Sequence, residues 1–224
     1  MAFFNKLFNI PEGYPADIDN VELAYQLLLG DCTIPLYRST INKLLKECTE
    51  QGQQYPDKQK ILLKVIELTG NPDTPKQRFL LATAYAQSRV QYRVQAIHYL
   101  ELYLSNSLWE DAFVPSKKYH LKEMNEFLAK AYMGEYEFDK ALEVYNYLIN
   151  IIPDSPSPYM GKCEVLIKQN KLQECLVWLL NCKKLPYYKF NQKYLETAPE
   201  NWFYYTINRL TKDVELKIEK RLCI

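Results

Sequence analysis

Residues 127–148 read FLAKAYMGEYEFDKALEVYNYL, and Pro153 closes the stretch. Leu128, Ala129 and Tyr132 fall on one face of a helix, because residues three and four apart are neighbours there. Ala141, Tyr145 and Leu148 repeat the same spacing after a turn. The pattern predicts two short helices packed against each other. Ala129 and Ala141 are small where two helix axes pass close, and Tyr132 and Tyr145 fill the wider gaps beside them. A larger residue at such a crossing overpacks it.

Composition narrows what can surround this helix pair. The 224 residues suit one large domain or one short repeat array. Lys and Arg number 28 against 27 Asp and Glu, so no overall charge draws the chain to nucleic acid or to a membrane. Only six glycines are present, and neither GxGxxG nor GxxxxGK[ST] occurs, which removes the common phosphate-binding loops. The six cysteines form no CxxC pair, and no secretory signal or membrane span is visible. Free thiols in a reducing cytoplasm are the expected state. The expected fold is all-α.

Outward from the helix pair, further helical periodicity covers most of the chain. Asp17 and Asp19 precede a run from Val21 to Leu29, and Gly30-Asp31 ends it. Pro35 suits a first helical turn, after which Ile41, Leu44, Leu45 and Cys48 share a face. A third helix is expected from about Asp57 to Thr69, stopped by Gly70 and Pro72. These helices, 17–74, read as a degenerate repeat or as a cap. The last stretch, 189–224, predicts a helix around 190–197 and a longer one. Phe203, Ile207, Leu210, Val214, Ile218 and Leu222 form a stripe on the latter, opposite mixed charge, as a capping helix requires. In the N-terminal arm, 1–16, Phe3, Phe4, Leu7 and Phe8 share one face. One Lys in ten residues is too little charge for a membrane anchor, so an arm packed on the body is preferred and no membrane association is expected.

The spacing in 122–155 resembles the tetratricopeptide repeat, whose 34-residue unit runs Leu-small-x-x-Tyr, then Ala-x-x-x-aromatic, then Pro. Leu81, Ala82 and Tyr85, then Ala96 and Leu100, resemble an earlier unit, 75–108, whose turn is about two residues longer than the family's. A third unit, 156–188, begins one period after the second and carries Tyr159, Cys163, Leu166, Cys175, Leu179, Cys182 and Pro186. Lys162 stands there in place of the usual Leu. An insertion, 105–121, separates the first two units. Its Trp109 and Phe113 read equally as an interface anchor and as a small satellite core. The resemblance implies an α-solenoid, a right-handed stack of antiparallel helix pairs, and a binding function.

In such arrays the first helix of each unit lines a concave groove. The resemblance therefore implies groove positions at Lys76, Phe79, Thr83 and Gln87 in the first unit. The second gives Glu123, Glu126, Lys130 and Met133. The third gives Ser157, Met160, Glu164, Ile167 and Lys168. Phe79, Thr83, Met160 and Glu164 occupy places where some members clamp a chaperone's C-terminal carboxylate with Lys and Asn, so that ligand is not expected. The mixed set suits a peptide with apolar anchors and charged edges, unless the N-terminal arm fills the groove itself.

Chemistry has little to build on. His98 and His120 are the only histidines and have no ligand spacing with the cysteines. Cys163, Cys175 and Cys182 read as small packing residues, and Cys175 and Cys182 lie two helical turns apart, too far for a disulfide. Glu135, Glu137 and Asp139 read as a solvated turn and helix cap. No catalytic, cofactor or metal site is expected. The favoured function is a cytoplasmic scaffold or adaptor binding a protein segment. The alternative is a peptide-responsive repeat domain that controls another protein.

Overall fold

Capping chemistry places the helix ends. In the computed structural model, Asp19 Oδ1 accepts the Val21 amide at 2.8 Å and starts α1 (Asn20–Leu29). Gly30, at φ 66°, ends it, in a left-handed conformation that costs Gly nothing. Pro35 opens α2 (Pro35–Glu47). Asp57 Oδ1 accepts the Gln59 amide at 2.7 Å and starts α3 (Lys58–Thr69). Thr74 and Gln77 form a reciprocal capping box ahead of α4 (Pro75–Gln87). The longer turn after α4 is taken up by a 3₁₀ turn, Val90–Tyr92, before α5 (Arg93–Leu104).

The remaining helices are α6 (Lys117–Gly134), α7 (Phe138–Ile151), α8 (Pro156–Lys168), α9 (Leu172–Cys182) and α10 (Trp202–Leu222). The structure describes residues 19–30, 35–105, 117–153, 155–186, 188–189 and 202–222. Among these there are ten α-helices and no strand. The N-terminal arm, Trp109, Phe113 and the helix expected around 190–197 lie outside the described residues. The chain divides into two compact units, Met1–Ala131 and Tyr132–Ile224.

In the first unit α1 packs on α2, α3 and α4, α3 on α4, and α4 on α5. Leu23, Leu27, Leu62, Val65, Leu80, Leu81 and Leu100 are buried there, with Ala24, Ala82, Ala84 and Ala96 at the close approaches. An ion pair between Lys76 and Glu22 ties α4 to α1, and the Lys76 ammonium also lies 4.5 Å from the centre of the Tyr25 ring.

In the second unit α7 packs on α8, α8 on α9, and α9 on α10. The turns before α7 and α9 are built alike. Tyr136 and Asn170 adopt left-handed φ values of 64° and 66°. The amide of the next residue reaches back five residues in each case: Glu137 to the Tyr132 carbonyl and Lys171 to the Leu166 carbonyl, both at 2.9 Å. Glu137 and Lys171 then share a conformation, at φ/ψ −81°/60° and −85°/60°. Every partner lies 34 positions from its counterpart, which is the period read from the sequence.

The expected acidic cap on α7 does not form, since Glu137 makes no side-chain capping bond. Its carboxylate pairs with Lys140 instead, and Asp139 accepts the Gln169 side-chain amide at 3.1 Å. The left-handed turn already ties the chain back by its own amides, so the side chain is released for surface pairing.

Tyr145 on α7 lies against Gly161 on α8, and a Cβ at Gly161 would overlap its ring. Glycine inside a helix costs roughly 0.5–1 kcal/mol relative to alanine, so its use here reflects the close approach. Cys163, Cys175 and Cys182 are fully buried in one apolar cluster with Tyr159, Leu166, Leu179 and Ile207. The Cys175 thiol donates to the Cys163 carbonyl at 3.6 Å. Lys162 is also buried, with its ammonium 3.5 Å from the Trp178 ring centre and 2.8 Å from Asn146 Oδ1. Desolvation holds its pKa below the usual lysine range. The amide oxygen and the aromatic face replace water around the charge, which is how a lysine stands in a leucine's place. Ile207, Leu210, Val214 and Ile218 turn the apolar stripe of α10 toward the cluster.

Gly161→Ala is expected to lower unfolding stability by ~1–3 kcal/mol through the Tyr145 overlap, with Gly161→Ala/Tyr145→Leu recovering part of the loss. Denaturant titration of the three proteins checks this, and an unchanged midpoint for Gly161→Ala would contradict the packing.

Candidate functional site

The implied groove residues separate into buried, engaged and exposed groups. Phe79, Thr83 and Met133 are each under 8% exposed and cannot offer their side chains to a partner. The reason at Phe79 is an aromatic cluster. Its ring centroid lies 6.4 Å from that of Tyr25, 5.9 Å from that of Tyr103 and 5.3 Å from that of the His120 ring. An aromatic ring gains most by full burial among tilted partners, and α1 supplies one side of that enclosure. Lys76 is occupied by Glu22 and Tyr25. Glu126 is half-buried and pairs with Lys122 at 3.2 Å. Gln87 and Ser157 are half-buried. Met160 and Ile167 are partly buried against the second unit's core. Glu123, Lys130, Glu164 and Lys168 are exposed.

Lys130 opens onto a cleft that the groove reading did not anticipate. It lies beside the α4–α5 turn, encloses about 240 Å³, and is lined by Tyr85, Ala86, Ser88, Arg89, Val90, Arg93, Ala96, Phe127, Lys130 and Ala131. Three of those side chains are cationic and none is acidic. The turn that carries Arg89 is fixed from two sides. Gln59 Oε1 on α3 accepts the Arg89 amide at 3.0 Å, and Ser88 Oγ donates to the Ala84 carbonyl at 2.7 Å. Tyr85 is held by stacking on Tyr99, with centroids 5.0 Å apart and rings parallel to within 1°. Val90, on the rim, is 69% exposed. Part of the signal for this site was present in the sequence: the two extra turn residues put Arg89 and Val90 outside the α-helical pattern, with Arg93 at the first position of α5.

A second cleft, in the second unit, is lined by Asn170, Lys171, Leu172, Gln173, Glu174, Ile218 and Arg221. It combines the α8–α9 turn with the end of α10, where the Arg221 guanidinium donates to Asn170. Its wall is mainly apolar and holds two cations, Lys171 and Arg221, with one acid, Glu174.

No group of three or more His, Cys, Asp or Glu side chains among the described residues is placed to hold a metal ion. The Cys175 and Cys182 thiols and burial push the Cys163 thiol up, which keeps it protonated and unreactive. No helix among the described residues is long and apolar enough to cross a membrane.

His120, on α6, is a buried titratable group of the first unit. Its Nε2 shares a hydrogen bond with the Tyr103 hydroxyl at 2.9 Å. Burial lowers the His120 pKa and pushes Tyr103 up to about 12. A histidine whose folded pKa is depressed binds fewer protons folded than unfolded. Its contribution is present above the unfolded value of about 6.5 and is lost as pH falls through the folded value. Stability is therefore expected to decline from pH 7 toward pH 5, by no more than about 1.4 kcal/mol per pH unit for this one group. His120→Gln should flatten that decline in denaturant titrations, and an identical slope for both proteins would contradict the assignment. Comparison of the chain with protein-family models, characterised proteins and solved structures gave no match.

Proposed function

We propose that this chain is a non-enzymatic interaction module, a tetratricopeptide-like α-solenoid that holds a peptide or protein segment. The observation that carries this reading is the repetition of one turn, in backbone conformation and hydrogen bonding, 34 positions apart. Helix pairs repeated at a fixed period stack their apolar faces and present an extended face for binding. The all-helical architecture supports it, as do the small residues buried where helices meet. The described free cysteines, Cys48, Cys163, Cys175 and Cys182, are all buried thiols, in keeping with a reducing cytoplasm.

In this reading the binding face keeps Glu123 and Lys130 of the implied groove but not the buried Phe79 and Thr83. In the first unit the aromatic cluster has drawn Phe79 inside, and α1 engages Lys76. An accessible concavity among the described residues there is the cleft at the α4–α5 turn. In this reading the partner docks across that turn and the exposed side of α6, where Glu123 and Lys130 stand.

Panning of a random twelve-residue display library on the immobilised full chain tests the proposal. A convergent motif is expected, with binding that the free peptide competes away and that Lys130→Glu weakens by tenfold or more. Absence of any convergent motif would overturn it.

A further inference from the structure

We draw no further inference here: the strongest candidate, the mainly apolar cleft between the α8–α9 turn and the end of α10, sets an acid beside its two cations, has Arg221 already bonded to Asn170, and nothing in the structure shows what covers it.

Discussion

The second unit depends on one backbone device, used twice. A residue in the left-handed region lets the following amide reach a carbonyl five positions back. That closes one helix and aims the next. Tyr136 and Asn170 occupy this position, although for a residue with a Cβ the left-handed conformation costs roughly 1–2 kcal/mol. The offset is the satisfaction of carbonyls at the helix end that would otherwise lack partners. Once the turn is fixed, α7 and α9 start at equivalent points. Ala141 and Cys175 then come to corresponding depths in the core, both fully buried.

Packing follows from that phase. Tyr145 is fully buried and projects onto α8, where Gly161 alone leaves room for its ring. Two residues further along the same helix, Cys163 meets Cys175 from α9. The thiols act there as compact apolar groups. Lys162 shows how far the same framework stretches. A charge is tolerated inside the unit because Trp178 and Asn146 solvate it.

The helices were legible in the sequence because their signals are local. Asp57, Thr74, Gly30 and Gly70 mark ends by side-chain capping or by backbone freedom, and these act within a few residues. The buried roles of Ala129, Ala141, Leu148 and the three clustered cysteines were legible through their period. The groove was not. Whether Phe79 faces a partner or the interior depends on α1, which begins more than fifty residues earlier and packs on α4. No local pattern encodes that contact. The Lys76–Glu22 pair has the same origin. Gly161 was visible as a glycine inside a helix, but its purpose appears only when Tyr145 is placed opposite. The cleft at Arg89, Arg93 and Lys130 joins a turn to a helix some forty residues later, and only the fold brings them together.

The account's central claim is that one left-handed turn, repeated at a 34-residue period, sets the helix pairs of the second unit. The most direct measurement compares Tyr136→Gly, Tyr136→Val, Asn170→Gly and Asn170→Val by equilibrium unfolding. Glycine should be tolerated or stabilising at both positions, because it adopts the conformation without strain. Valine should lower stability at both by more than ~1 kcal/mol. Valine tolerated as well as glycine at either position would contradict the claim.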